Sequence, residues 1–149
     1  MILGDDSFVP RLKRTNTLFW ALELSVTGSE ALGALSRAPI GVTRSLPETR
    51  KLLEACMGEL CAVAIAHGIS LSEAVIPSMM EYLDGLSPSS TTSLQRDIAD
   101  GKRSELDYWS GAVVRLAAGK NVAVPTHNMI YDVLLPLHRQ ALGELTFPS

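Results

Sequence analysis

Apolar residues recur at helical spacing along most of the chain. Between positions 45 and 67 they fall three or four residues apart, at Leu52, Leu53, Cys56, Leu60, Val63 and Ala64. Such spacing places them on one face of an α-helix. No stretch alternates apolar and polar residues between turns, as a strand would. The pattern predicts an all-α protein, an irregular bundle of about six helices.

Glycine and proline set the expected ends of these helices. The apolar run over 15–26 predicts a first helix that Thr27 and Gly28 end, with a short helical piece following over 30–35. Pro136 should end or bend the last helix, because proline lacks a backbone N–H. The other expected helices cover residues 45–67, 70–83, 91–100, 104–119 and 125–136.

Three serines stand where helix N-caps are expected. Ser45 and Ser70 each precede a glutamate by three residues, which is capping-box spacing, and Ser104 precedes a further helix. Gly68 is suited to the left-handed residue that follows a helix ending near His67.

The length of the chain predicts a single domain. A chain of 149 residues can bury roughly 70% of its unfolded surface. Residues 1–14 are expected to form a loosely held N-terminal arm, residues 15–143 the helical domain and residues 144–149 a tail.

The charge and hydrophobicity of the chain limit the kinds of partner that it is expected to bind. A net charge of -3 and scattered basic residues argue against nucleic acid. No apolar run reaches the ~18 residues that span a bilayer, and no signal peptide is evident, so we expect a cytoplasmic protein without a membrane partner. The hydrophobic share of 46% suggests a further buried surface, and a homodimer is expected.

The cysteines and histidines suggest neither a disulfide nor a metal. Cys56 and Cys61 lie five positions apart in one predicted helix, on different sides, so they cannot pair. No Cys or His cluster has zinc-ligand spacing, and no metal or other cofactor is expected.

Several motifs, in order along the chain, resemble one family. They are ALSRAPIG at 34–41, ELCAVAIAHGI at 59–69, the turn at Gly101 between Ser93 and Glu105, SGAVVRL at 110–116 and VPTHN at 124–128. Over residues 20–136 the chain is similar to the C-terminal helical domain of ketopantoate reductases (2-dehydropantoate 2-reductases). The resemblance implies the helical fold of the 6-phosphogluconate dehydrogenase C-terminal type. It also implies that Ser93 and Glu105 face a substrate.

The same resemblance implies residues that this chain lacks. In these reductases a lysine acts as general acid, and asparagines four and eight positions later hold substrate. The corresponding positions here are Leu22, Val26 and Glu30. A leucine cannot donate a proton, and the Gly-rich dinucleotide fingerprint after a strand is missing. We therefore expect a stand-alone domain without an NADP-binding domain, which is not an autonomous reductase.

Three residues are candidates for catalysis. Glu105, near a helix N-terminus, would be stabilised by the helix dipole, although helix capping is the alternative for both Glu105 and Ser93. Glu30 would be a new carboxylate in the old cleft, or else would face solvent. His127 would act as a base if it faced the cleft, and is otherwise a surface or capping residue.

Five residues are expected to bind substrate: Ser93, Leu22, Val26, Tyr108 and Trp109. Replacing lysine by Leu22 and asparagine by Val26 makes the expected cleft more apolar. A small apolar organic ligand, held by shape, fits such a cleft. For the two aromatic residues, core packing is the alternative.

Three functions remain open. The first is a cofactor-independent enzyme of the isomerase, cyclase or lyase type that uses the inherited cleft. The second is a non-catalytic ligand-binding or protein-interaction module. The third is one subunit of a split NADPH-dependent reductase, which the missing lysine disfavours. A closed, mostly apolar cavity would favour the enzyme, and a flat apolar face would favour the interaction module.

Overall fold

The computed structural model describes residues 17–149, with side chains from residue 26 onward. This part of the chain contains seven helices. They are α1 (Thr17–Ser36), α2 (Ile40–Thr43), α3 (Pro47–Ala66), α4 (Val75–Gly85), α5 (Ser93–Ala99), α6 (Leu106–Ala118) and α7 (Pro125–Ala141). No strand occurs within this range. The all-α prediction is confirmed, with seven helices instead of about six. The expected arm, 1–14, lies outside the described residues.

Helix α1 is central to the fold and contacts all six other described helices. The small residues Ala31 and Ala34 are each 1% exposed and bring the backbone of α1 close to its neighbours. The core cluster around them also contains Cys56, Leu94, Ile98, Leu106, Ile130 and Leu134. One core therefore joins α1, α3, α5, α6 and α7.

Helix α1 runs unbroken through Thr27 and Gly28, so the predicted break there is wrong. Gly28 lies where α1 meets α3, and a Cβ added to it would stand 2.8 Å from the Cβ of Cys56. A Cβ on Gly33 would stand 2.8 Å from Oε1 of Gln95 in α5. These glycines serve close helix packing and do not end a helix.

The three predicted serine caps are also wrong. The N-cap positions of α3, α4 and α6 hold Leu46, Ala74 and Glu105, none of which makes a side-chain cap bond. Ser45 instead donates to the carbonyl of Gly41 over 2.6 Å. The side chain of Thr92 caps α5 by accepting the backbone N–H of Gln95 at 3.2 Å. The hydroxyl of Ser104 likewise has another partner, Nδ1 of His138 at 3.2 Å.

Two helix ends contrast with each other. Gly68 has a φ of +83°, and α3 ends at Ala66 just before it, which confirms the predicted left-handed residue. Helix α7 continues through Pro136 to Ala141, so of the two predicted effects of Pro136, an end or a bend, the end does not occur. Pro136 is on the exposed side of α7, where the carbonyl that loses its helix partner can bind water.

Cys56 and Cys61 are free and buried. Burial, together with the nearby charge of Glu59, raises the pKa of Cys56 to about 12. The thiol therefore stays protonated and behaves as a small apolar core group. None of the described helices is long and apolar enough to cross a membrane.

Candidate functional site

A cleft of about 460 Å³ opens between α1, α5 and the start of α6. Its described lining consists of Glu30, Ser93, Leu94, Asp97, Arg103, Ser104, Glu105 and Trp109. Four of the residues that the sequence singles out, Glu30, Ser93, Glu105 and Trp109, are therefore brought together. They come from separate parts of the chain, and the packing of three helices places them around one space.

Two core leucines explain why Ser93 and Glu105 face this cleft. Leu94 is 2% exposed and Leu106 is 0% exposed, and both belong to the core cluster around α1. Each stands directly after one of the two polar residues, at the start of α5 and of α6. Because the leucines anchor these helix starts in the core, the preceding side chains are left at the mouth of the cleft.

Glu105 is held by an aromatic side chain one turn further along α6. Its Oε2 accepts a hydrogen bond from Nε1 of Trp109 over 3.1 Å. The Trp109 ring packs edge-on against Tyr108, with ring centroids 5.2 Å apart. Tyr108 does not itself line the cleft. The helix-capping alternative is wrong for Glu105, which makes no side-chain cap bond, and Thr92 takes that role in place of Ser93.

Glu30 is a buried carboxylate in the cleft wall, and the alternative that it faces solvent is wrong. The residue is only 8% exposed although it lies on the central helix. General acid–base catalysis requires a titratable side chain within hydrogen-bond reach of a bound molecule, and a carboxylate in the wall of a cleft is a group of that kind.

The cleft is neither the closed, mostly apolar cavity that would favour an enzyme of the expected kind nor the flat apolar face that would favour an interaction module. Six of its eight described lining residues are polar or charged, and it is open to solvent. Val26 is half-buried but does not line it, and the side chain of Leu22 lies outside the described residues. The expectation of a more apolar cleft rested on Leu22 and Val26 of α1, whereas α5 and the loop after it add polar side chains to the lining.

Three polar lining residues were not predicted: Asp97, Arg103 and Ser104. Asp97 follows Ser93 by four residues on α5, and this spacing alone places both on one helix face. Arg103 and Ser104 adjoin Glu105 in sequence, so they too could have been found from the resemblance. The described lining thus has three carboxylates and one guanidinium. Among the described residues no group of three His, Cys, Asp or Glu side chains could hold a metal ion.

His127 lies in another part of the fold. It is 1% exposed, and its Nδ1 stands 2.7 Å from Oε2 of Glu59 in α3. The same carboxylate accepts the backbone N–H groups of Thr126 and His127 over 2.8 and 3.0 Å. Glu59 therefore caps the first turn of α7 from a neighbouring helix. His127 belongs to this buried cluster and not to the cleft, and it is not a surface residue.

The acidity of Glu59 reflects these contacts. Partial burial raises the pKa of Glu59, but hydrogen bonds from the His127 side chain and from two backbone N–H groups outweigh it and lower the pKa to about 2. One sequence signal for Glu59 is its position seven residues after Leu52 and three after Cys56, which places this carboxylate on the apolar face of α3. A second signal is Pro125, which begins α7 after Val124, a residue that cannot cap it.

Known proteins are similar to this chain over most of its length. The family model described as ketopantoate reductase PanE/ApbA C terminal matches residues 19–138. The 2-dehydropantoate 2-reductase of Halobacterium salinarum is 30% identical over 115 residues, which cover 77% of this chain and 38% of that protein. That of Pyrobaculum aerophilum is 28% identical over 114 residues, with 76% and 40% covered. The chain thus spans about two fifths of the length of these relatives.

Solved structures are similar in the same region. A ketopantoate reductase from Staphylococcus aureus, described as dimeric, superposes with a TM-score of 0.78 at 26% identity, over 83% of this chain and 43% of that one. A ketopantoate reductase from Ralstonia eutropha gives 0.75 at 25% identity, over 85% and 43%. Since the family model covers most of the helical domain, the chain belongs to the family of ketopantoate reductase C-terminal domains.

Proposed function

We propose that this protein binds a small polar organic molecule in the cleft and promotes a non-redox conversion by acid–base chemistry, of the isomerisation, cyclisation or elimination type. The observation that carries the proposal is the buried carboxylate of Glu30, which is 8% exposed in the wall of an open cleft. A carboxylate in such a position can accept a proton from a bound molecule and return it at another atom.

Glu105 and Ser93 would hold the ligand. The carboxylate of Glu105 is fixed by Trp109 and exposed at the mouth of the cleft, so it can accept hydrogen bonds from a ligand. The hydroxyl of Ser93 can donate or accept. Because Trp109 also lines the cleft, a flat apolar part of the ligand would pack against its ring.

The charges of the lining favour a neutral or cationic ligand. Among the described lining residues, Glu30, Asp97 and Glu105 outnumber Arg103, so a carboxylate on the ligand would be repelled. Reduction of a keto acid by hydride also requires a cation or proton donor near the developing alkoxide. In the family a lysine serves this purpose, but the corresponding position here is Leu22. These features support a reaction other than that named for the relatives.

A second candidate is protein interaction, including a homodimer. Met129 and Val133 are 43% and 52% exposed and lie one turn apart on α7. Two adjacent exposed apolar side chains favour a contact surface, although they form a small patch. This candidate predicts that partners map to α7 and that the cleft stays unoccupied.

The proposal is tested by removing each acid. In a mixture of small polar metabolites without nucleotide, followed by mass spectrometry, Glu30→Gln should lower the turnover of any converted compound by about 10²-fold or more. Glu105→Gln should instead weaken binding by about tenfold, the cost of one charged hydrogen bond. Glu54→Gln, exposed on α3, is the matched control. If both cleft variants kept full activity, the acid–base proposal would be wrong.

A further inference from the structure

Three side chains form a line from the cleft to the surface. Oγ of Ser104, in the cleft lining, stands 3.2 Å from Nδ1 of His138 in α7. Nε2 of the same ring stands 3.4 Å from Oδ2 of Asp107 in α6. Ser104 and His138 are 8% and 4% exposed, whereas the side chain of Asp107 is 53% exposed. The line thus runs from a nearly buried hydroxyl, through a buried imidazole, to a carboxylate in contact with water.

The carboxylate end of this line is fixed from two sides. The hydroxyl of Tyr131 donates to Oδ1 of Asp107 over 2.5 Å, and Nη2 of Arg115 donates to the Asp107 backbone carbonyl over 2.9 Å. Burial and the hydrogen bond to Asp107 raise the pKa of Tyr131 to about 12, so its hydroxyl remains a donor. Oδ2 of Asp107 is thereby left directed toward the imidazole.

We propose that Ser104 is a nucleophile that His138 activates and Asp107 orients, and that it accepts an acyl group from a small ester or thioester bound in the cleft. A hydroxyl, a base within hydrogen-bond reach and a third group that orients the base are the geometric signature of an activated nucleophile. The tautomer this requires has the proton on Nε2, toward Asp107, and a free Nδ1 toward Ser104. The proposal goes beyond the acid–base roles of Glu30 and Glu105 and does not depend on them.

The reaction balances without any redox partner. Ser104 Oγ bonds to the acyl carbon while its proton passes to His138 Nδ1, and the bond to the alcohol or thiol then breaks as that group takes the proton. Water next attacks the acyl carbon and gives a proton to His138. The bond to Oγ breaks, Ser104 regains the proton, and a carboxylic acid leaves. The three carboxylates of the described lining favour neutral or cationic esters, and repulsion from them would help to release the acid.

The test is covalent labelling with a fluorophosphonate, a probe that reacts with activated serines. Intact mass and peptide mapping should find one adduct, on Ser104, and none in Ser104→Ala. His138→Gln and Asp107→Asn should each slow labelling, the former by about 10²-fold, the contribution of a general base. Ser89→Ala, an exposed serine between α4 and α5, should label like the wild type.

Two results would overturn the proposal. One is a folded protein, checked by circular dichroism, that forms no adduct on Ser104. The other is labelling of Ser104 at an unchanged rate in Asp107→Asn, which keeps the test open even if His138→Gln fails to fold, since Asp107 is exposed. Failure of labelling would leave the effects of the Glu30 and Glu105 variants untouched, so the two proposals can fail separately.

Discussion

Replacing Glu59 by alanine should lower the free energy of unfolding by about 3 kcal/mol, because it leaves several buried donors without an acceptor. The Glu59 carboxylate accepts the backbone N–H groups of Thr126 and His127 and contacts the buried His127 ring at 2.7 Å. The His127 ring is 1% exposed, so it has little contact with solvent that could replace the lost carboxylate. The first turn of α7 should therefore fray, and the contact between α3 and α7 should weaken.

The matched control for this substitution is Glu54→Ala on the same helix. Glu54 is half exposed and pairs with Arg50 one turn earlier at 3.7 Å, so its loss should cost about 0.5 kcal/mol or less. Urea unfolding of both variants measures the difference. A Glu59→Ala protein within about 1 kcal/mol of the wild type would contradict the capping role that the structure gives to this carboxylate.

The same contacts make stability depend on pH in a defined window. The folded pKa of Glu59, about 2, lies below the ordinary value of 4.5. Its stabilisation is therefore fully present above pH 4.5 and is lost as the pH falls from there toward 2, by on the order of 2 kcal/mol. Glu59→Ala should have a flatter acid limb than the wild type, and equal slopes would argue against the depressed pKa.

Replacing Gly28 by alanine should destabilise the protein by about 2 kcal/mol, although alanine normally strengthens a helix interior. The added Cβ would lie 2.8 Å from the Cβ of Cys56, a distance that real Cβ atoms do not adopt. Helices α1 and α3 would have to separate, and α1 also carries Glu30 into the cleft. Thermal or urea unfolding measures the loss of stability.

Two further variants distinguish the effect of this clash on stability from the general effect of replacing a helical glycine by alanine. Gly58, in the interior of α3, has no atom within 4 Å of an added Cβ, so Gly58→Ala should stabilise by about 0.5 to 1 kcal/mol. In a double-mutant cycle with Cys56→Gly, which removes the opposing Cβ, Gly28→Ala should cost at least about 1 kcal/mol less than it does alone. Stabilisation by Gly28→Ala in the wild-type background would refute the close helix contact.

A comparison of Gly28 with the apolar positions of α3 shows which parts of the fold can be predicted from the sequence. Apolar spacing on α3 predicts its buried face correctly, because a helix repeats every 3.6 residues whatever its surroundings. The sequence-based interpretations of Gly28 and Ser45 are wrong because Gly28 packs against Cys56 of α3 and the Ser45 hydroxyl donates to the carbonyl of Gly41 in α2. Residue type indicates what a position can do locally, and only the packing decides which of those uses is taken.

The residues of the cleft can likewise be predicted only in part from the sequence. The resemblance brought Ser93, Glu105 and Glu30 forward, and the structure places all three on one cleft. It could not indicate the bond between Ser104 and His138, which are 34 residues apart and meet only because α6 packs on α7. The polar character of the cleft was underestimated for a different reason: Asp97, Arg103 and Ser104 lie close in sequence to Ser93 or Glu105, but they were not considered.

The central claim is that this cleft is a ligand site that works without a nicotinamide nucleotide. Titration of the ¹⁵N-labelled protein with polar neutral and amine-bearing fragments, and separately with NADPH, tests it most directly by NMR. We expect binding fragments to shift the indole N–H signal of Trp109 and the amide signals of Glu30, Ser93 and Glu105, and NADPH to shift none of them. Saturable shifts with NADPH, or fragment shifts confined to Met129 and Val133 on α7, would contradict the claim.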